Sequence, residues 1–164
     1  MPTKETIERA RRDKRRGKSA STQAGEFVHD EIKRIRKGVH GARNTKQAIA
    51  IGLSEARRAG VKLPPPKKGK VSEKTRRQAA RDTKKGEEHT PISATRSRAR
   101  VRALKRESTS AASPNALSKQ ARSAARRRTA AERSAAAKKA VRTKGPRTRS
   151  AAARKAARTR AAKS

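Results

Sequence analysis

The sequence has no cysteine, tryptophan or tyrosine, and it contains a single phenylalanine and a single methionine. Without cysteine the chain can form neither a disulfide framework nor a thiolate metal site. No apolar run approaches the ~18 residues of a transmembrane helix, and no apolar segment follows the basic N-terminus as it would in a secretory signal. We therefore expect a cytoplasmic protein with no membrane partner.

Acidic residues are scarce as well, since 13 Asp and Glu stand against 49 Lys and Arg and leave a formal net charge of +36. Large apolar residues are few: 18 Val, Ile, Leu, Met and Phe accompany 32 alanines, and ten of the 18 lie within residues 27–63. Apolar burial can offset the entropy of ordering in that segment only. This composition argues against an enzyme, and the excess charge predicts a polyanionic partner, by default nucleic acid.

The chain divides by composition into four stretches. They are a basic N-terminal arm (1–20), a helical-hairpin domain (21–63), a linker rich in Pro and Lys (64–90) and a basic tail rich in Ala, Arg and Lys (91–164). A short helix from Thr3 to Arg16 would have no hydrophobic face and would fray in isolation. The linker starts with three prolines, and a short helix over 72–85 would stop at Gly86.

Hydrophobic periodicity predicts the hairpin. Apolar residues recur at positions 28, 32, 35 and 39, which lie on one helix face. Ser21 or Thr22 can cap the first helix, and Asn44 can cap the second. We predict helices at about 22–37 and 45–59 within a mostly α fold: a small helical hairpin plus a long basic tail that is partly helical or disordered. The predicted hairpin core consists of Phe27, Val28, Ile32, Ile35, Val39, Ile49, Leu53 and Ala56.

The tail holds 23 Lys and Arg and two acids. Alanine, arginine and lysine all favour helix, and Pro114 is suited to the first position of one. This predicts a helix over 114–143, a stop at Lys144-Gly145-Pro146 and a second helix over 147–162. Repulsion between like charges opposes these helices, so we expect more helix on a polyanion than in the free chain.

The hairpin alone is too small for a comfortable margin of stability. Burial of its ten larger apolar side chains does not by itself offset the entropy lost on ordering some 40 residues. Three remedies stay open: the hairpin forms a homodimer, docks on other helices of the chain, or becomes ordered on its ligand.

No motif for catalysis, metal or cofactor is present. His29, His40 and His89 are far apart in sequence and are interpreted as solvated or turn histidines rather than metal ligands. The acids of the hairpin (Glu26, Asp30, Glu31 and Glu55) are interpreted as a solvated helix face that complements nearby bases. No glycine-rich phosphate loop and no nucleophile elbow occur. We expect no cofactor and no small-molecule substrate.

Clusters of basic residues carry the functional prediction, which is non-catalytic and largely sequence-independent binding of duplex DNA through contacts to phosphate, with nucleoid-associated compaction or bridging. The predicted contact residues are Arg96, Arg98, Arg100, Arg102, Lys105, Arg106, Lys119, Arg122, Arg126, Arg127, Arg128, Lys138, Lys139, Arg149, Arg154 and Lys155. Single-strand modes lose their main energy source because aromatic stacking platforms are missing. The second hairpin helix offers few side chains for reading bases in the major groove.

Two other functions remain open. Ribosomal tails share this composition, so an RNA- or ribosome-associated basic protein is the first alternative. In the second, the hairpin is a partner-binding adaptor in plasmid or stress maintenance and the tail only localises it. Crosslinking sequenced separately for DNA and RNA would test the first, and a pull-down with residues 20–66 the second.

The segment STQAGEFVHDEIKRIRKGVHGARNTKQAIAIGLSEARRAGVKLPPP (21–66) resembles a family of small basic bacterial proteins with an uncharacterised domain, most specifically in HGARNTKQAIAIGLSEARRAG (40–60). Residues 103–128 are similar to a second block of longer family members. The rest of the tail is similar in composition to bacterial histone H1-like proteins. The resemblance implies a bacterial source and a DNA-associated role, and it supplies no catalytic residue.

Overall fold

The computed structural model describes residues 2–91 and 93–162 of the chain. The regular secondary structure of these residues is helical, and no strand occurs among them. The prediction of a mostly α fold is confirmed. In order, the elements are α1 (Lys4–Arg15), α2 (Ala20–Arg36), α3 (Thr45–Arg58), α4 (Glu73–Glu87), α5 (Ala94–Leu104), a short 3-10 turn (Thr109–Ala112), α6 (Pro114–Arg126) and α7 (Ala130–Ala161). Within the described residues, no helix is both long enough and apolar enough to cross a membrane.

The chain forms two compact units, residues 1–120 and 121–164, and the boundary falls within α6. Helices α2 and α3 form the predicted hairpin in the first unit. The hydroxyl of Ser19, rather than Ser21 or Thr22, caps α2 by accepting from the Thr22 backbone N–H. The Asn44 side chain caps α3 by accepting from the Gln47 N–H at 2.9 Å. Each cap satisfies a backbone donor that the first helical turn leaves free.

Two clusters of buried side chains make up the core of the first unit. One, the Phe27 cluster, joins α1, α2 and α3 and contains Ala10, Ala24, Phe27, Ala56 and Val61. The other, the Ile35 cluster, joins the hairpin to the 3-10 turn and contains Ile32, Ile35, Ala42, Ala48, Ala111 and Ala112, with Val28 and Leu117 packed against it. More than half of these residues are alanines, so close approach of the helices replaces the bulk that the sequence lacks.

Not every predicted core residue is buried. Phe27, Ile32, Ile35 and Ala56 are buried, and Val28, Ile49 and Leu53 are partly exposed. The placement of Val39 in the core is wrong, because its side chain is 49% exposed. The helix has already ended: Gly38 takes a left-handed φ of 72°, and the N–H groups of Gly38 and Val39 bond back to the carbonyls of Ile35 and Arg34. This Schellman turn rotates Val39 off the helical stripe.

Helix α1 packs against the hairpin, which corrects the expectation that it has no face to bury, while its fraying in isolation stays a prediction. Thr6 and Ala10 are buried, and Ile7 packs against the Phe27 cluster. Arg9 Nε donates to Glu26 Oε2 at 2.7 Å and joins α1 to α2. A face built from threonine and alanine has little hydrophobic signal in the sequence, yet it allows α1 to lie close to α2.

Helix α4 packs against α3, and Gly86 does not stop it as predicted. Gly86 is buried inside the last turn, where an added Cβ would collide with the carbonyl of Arg57. The missing side chain thus lets α4 approach the backbone of α3. Gly52 has the same role between the hairpin helices, since a Cβ there would lie 2.7 Å from the Cα of Val28.

The predicted helix over 114–143 is divided in two. Helix α6 ends at Arg126, and Thr129 starts α7 with a capping box in which its hydroxyl accepts from the Glu132 N–H while the Glu132 carboxylate accepts from the Thr129 N–H. Helix α7 is itself broken where the stop was predicted, because Gly145 has φ 58° and ψ 164°. Those angles are essentially restricted to glycine. Two helical arms result, one before Gly145 and one from Pro146 to Ala161.

Candidate functional site

The predicted contact residues all lie on the surface. Every one of the sixteen is exposed, in α5, α6, α7 or the short connections that follow α5 and α6. Arginine and lysine side chains in such positions keep their charged ends in water and within reach of an external anion. The structure thus places the whole predicted set where a polyanion could contact it.

Helix α5 concentrates four of these residues. Arg96 and Arg100 are separated by one helical turn, as are Arg98 and Arg102. Like charges four residues apart on a helix destabilise it by a few tenths of a kcal/mol per pair. An anion bound across such a pair would relieve that repulsion, so the helix should gain stability when phosphate is present.

Helix α7, which lies in the second unit, is also strongly basic. Its 32 residues include eleven Lys and Arg and one acid, Glu132. That acid takes part in the capping box of the first turn. The first unit differs, because several of its carboxylates pair with its own bases.

Internal ion pairs neutralise these carboxylates in the first unit. Arg9 pairs with Glu26 at 2.7 Å, and Arg58 pairs with Asp82 at 2.8 Å. Arg34 Nη1 lies 3.3 Å from carboxylate oxygens of both Glu31 and Glu55. These acids and bases therefore engage each other, whereas the bases of α5 and α7 have few acidic neighbours in sequence.

Two of the four hairpin acids, Asp30 and Glu31, are buried, and Glu26 and Glu55 are partly exposed, which corrects their interpretation as a solvated helix face. Glu31 is fully buried, Asp30 is 9% exposed and His40 is 4% exposed. Glu31 Oε2 lies 3.5 Å from His40 Nε2, and the other ring nitrogen of His40 lies 3.0 Å from the carbonyl oxygen of Gly41. His40 is thus a buried turn histidine, not a solvated one.

Burial raises the pKa of the Glu31 carboxyl, and the nearby Glu55 carboxylate adds to that effect, while His40 and Arg34 oppose it. A perturbed carboxyl beside a histidine is a pattern that active sites share. Here both side chains are sealed from solvent, so a substrate could reach neither. Their contacts instead hold α2, α3 and the turn between them together.

A second buried carboxylate fixes α4. The side chain of Asp82 is 1% exposed. It accepts from the hydroxyl of Ser54 at 2.7 Å, from Arg58 Nε at 2.8 Å and from Gln78 Nε2 at 3.0 Å. Two of these donors lie on α3, so the network joins α4 to the hairpin. Burial also lowers the pKa of the neighbouring Arg57 guanidinium, and Asp82 counteracts that effect.

Metal binding has no geometric basis in what is described of the chain, because no group of three or more His, Asp or Glu residues there converges on a common point. The sequence reasoning missed the Glu31–His40 pair and the Asp82 network. Both depend on which helices meet, and spacing along one helix carries no signal of that.

The model of one protein family matches part of the chain. Neither the curated proteins nor the solved structures contain a match to this chain. The predicted likeness to an uncharacterised domain family is confirmed for a segment that comprises α1, the hairpin and the prolines after it. Residues 3–68 match a family of unknown function (DUF6496), and to that extent the chain is similar to its members.

Proposed function

We propose that this protein binds duplex DNA without catalysis and largely without regard to sequence, through contacts from Lys and Arg to phosphate. The observation that carries the proposal is the exposure of all sixteen predicted contact residues along a region with almost no acids. Each Lys or Arg side chain that contacts a phosphate releases a condensed counterion, and this release drives binding to polyanions.

The burial of the only phenylalanine favours duplex DNA over single strands as the ligand. Phe27 is 1% exposed in the core, and the sequence has no Trp or Tyr. Single-strand binding draws about 1–3 kcal/mol per base from stacking on aromatic side chains. This chain has no such ring to offer, whereas contacts to a duplex backbone need none.

The two units have different roles in this proposal. The first unit folds around alanine, glycine and internal ion pairs, and it presents the basic helix α5. The second unit supplies much of the affinity through α7. A nucleoid-associated role in compacting or bridging DNA follows if separate basic helices engage separate duplexes. A homodimer through the hairpin stays a prediction, although packing of α1, α4 and the 3-10 turn on the hairpin removes its original physical motive.

The salt dependence of binding tests the proposal. About ten engaged phosphates give a slope near −9 in a plot of log affinity against log salt. Filter binding with a mixed-sequence duplex should show this slope, and it should change little when the sequence is changed. A flat response to salt would contradict the proposal.

A variant with a matched control locates the contacts. Replacement of Arg149, Arg154 and Arg158 by Gln should make the slope shallower by about 2.7. The control replaces three exposed basic side chains of α1 by Gln and so removes the same charge; these are Lys4, Arg11 and Arg12. It should change the slope less. Equal effects of the two variants would mean that net charge alone, not α7, determines binding.

The RNA-associated alternative has its own readout. Single-stranded RNA and duplex DNA of equal length are competed for the protein at one salt concentration. We expect the duplex to compete better because the only phenylalanine is buried and the sequence has no Trp or Tyr on which bases could stack. If the RNA competes better, the chain belongs with RNA-associated basic proteins instead.

A further inference from the structure

The second arm of α7 carries its arginines in two rows. With about 100° of rotation per residue, Arg147, Arg154 and Arg158 lie within about 40° of each other, and Arg149 and Arg160 lie within about 20°. The two rows are about 150° apart the short way round the helix. All five side chains are exposed. The arginines therefore give the arm two opposite positive flanks, and its one lysine, Lys155, lies on the wide side between them.

Opposite cationic flanks match the geometry of one groove of DNA. The major groove is about 12 Å wide and admits an α-helix, while the minor groove, at about 6 Å, does not. A helix lying in the major groove has a wall of phosphates on each side. Arginines on both flanks can reach both walls at once, whereas a helix with one charged face could reach only one.

The surface between the two rows is small and nearly featureless. It consists of Ser150, Ala153, Ala157 and Ala161, which recur at the spacing of a helix face. These side chains let the helix sit deep in the groove, and a single hydroxyl among them leaves almost nothing to read base edges. A contact of this kind is independent of sequence, as phosphate contacts are.

The break at Gly145 makes the arm a separate element. From Pro146 to Ala161 the arm is about 24 Å long at 1.5 Å per residue, which is less than one ~34 Å turn of the duplex. A straight helix can stay in a curving groove only over such a short length. No atom lies within 4 Å of the position that a Cβ on Gly145 would occupy, so tertiary packing does not impose the break.

From these observations, and resting on the proposed function, we propose that residues 146–161 bind lengthwise in the major groove of duplex DNA. Arg147, Arg154 and Arg158 contact the phosphates of one wall, and Arg149 and Arg160 contact those of the other. The partner is a B-form duplex of any sequence. The binding site is thus this arm with its two rows of arginines, rather than basic residues spread over the whole chain.

Methylation of DNA by dimethyl sulfate tests the groove. The reagent attacks guanine N7 in the major groove and adenine N3 in the minor groove, so one experiment reports both. The full-length protein on a mixed-sequence duplex should protect guanine N7 and leave adenine N3 reactive. Binding with N3 protection, or with neither base protected, would overturn the groove assignment while the proposed function stands. No binding at all would overturn the proposed function itself.

A charge-preserving pair of variants separates seating in the groove from charge density. In A157R/R158A one arginine moves from its row to the middle of the small-residue face, and net charge is unchanged. We expect loss of guanine N7 protection and about tenfold weaker binding, equivalent to about 1.4 kcal/mol. Alanine and arginine both favour helix, so circular dichroism should show unchanged helicity.

The matched control is A80R/R81A, which makes the same exchange between two exposed neighbouring residues of α4, outside the arm. It should retain the affinity and the N7 protection of the parent protein. If A157R/R158A also retains both, the arm does not lie in the groove and the inference is wrong. If the control loses both as well, the loss does not report on the arm, which likewise contradicts the two-row arrangement.

Discussion

The hydroxyl of Thr45, the first residue of α3, donates a 2.7 Å hydrogen bond to the carbonyl of Ala111, 66 residues further along the chain. Both residues are buried. Nearby, Arg36 Nε donates to the carbonyl of Ala112 at 2.8 Å, and the N–H of Gly41 donates to the carbonyl of Leu104. The 3-10 turn thus closes one end of the hairpin, and a segment predicted to be tail belongs to the folded unit.

Truncation should reveal this boundary. A chain that ends after Gln120 keeps the Ile35 cluster intact and should unfold cooperatively, while a chain that ends after Thr90 loses Ala111, Ala112 and Leu117 from that cluster. We expect a clear urea transition for the first and a broad, early one for the second. Equal stability of the two fragments would contradict the assigned boundary.

The same fragments test the division of labour in DNA binding. Removal of residues 121–164 eliminates 16 of the 49 Lys and Arg and one of the 13 acids. The 1–120 chain should therefore bind duplex DNA more weakly than the full chain and with a shallower salt slope. Filter binding at several salt concentrations measures both quantities. Affinity equal to that of the full chain would mean that the first unit carries the binding.

Gly86→Ala should loosen α4. The added methyl group would collide with the Arg57 carbonyl, and backbone atoms cannot move aside as a flexible side chain can. We expect a loss of about 1–3 kcal/mol in the free energy of unfolding, as for other overpacked sites. The control is Gly25→Ala in α2, where nothing lies within 4 Å. That change should stabilise the helix by up to about 1 kcal/mol.

Asp82→Ala should be more costly. It removes the acceptor for Ser54 and Arg58 and leaves that guanidinium without its ion-pair partner. Breaking a buried pair from one side costs about 3–5 kcal/mol, which urea denaturation would detect as a lower midpoint. In the control, Glu73→Ala, an exposed pair with Arg76 is lost, and the cost should be much smaller because solvent screens that pair. A loss no larger than that of the control would mean that the Asp82 network does not hold α4.

Stability should depend on pH through Glu31. Its pKa in the folded chain is raised above the ordinary 4.5 by burial, so the folded state binds the proton more tightly than the unfolded state. The free energy of unfolding therefore falls as the pH rises from about 4.5 through the folded pKa, and the protein is more stable on the acidic side of that window.

Glu31→Gln tests this dependence because it removes the titration. Between about pH 4 and pH 8, the variant should lose less stability with rising pH than the parent protein does. The control Glu5→Gln changes an acid whose side chain is 85% exposed and should follow the parent curve. If Glu31→Gln also follows that curve at every pH, Glu31 does not titrate differently on folding.

The hairpin could be predicted from sequence because its signals are local. Periodic apolar residues such as Ile32 and Ile35 define a helix face, and Asn44 marks a start. Val39 was misplaced because periodicity does not register that Gly38 has already ended the helix. The break in α7 was also predictable, since Gly145 and Pro146 act through the backbone itself.

The contacts that complete the first unit could not be predicted in this way. Glycine normally ends a helix, and Gly86 was interpreted so, yet here it permits close approach to Arg57. Ala111 and Ala112 are buried without any large apolar neighbour in sequence to suggest it. Aspartate is usually exposed, and nothing in the sequence near Asp82 indicates that Ser54 and Arg58 contact it in the folded chain. Such contacts depend on residues far apart in the chain.

The burial of Phe27 also provides a way to monitor the folding of this protein by proton NMR. Its benzene ring is the only one in the chain, and it packs among Ala10, Ala24, Ala56 and Val61. Methyl resonances displaced upfield by a benzene ring can therefore come only from that neighbourhood. A one-dimensional proton spectrum thus reports the assembly of α1, α2 and α3 with no label.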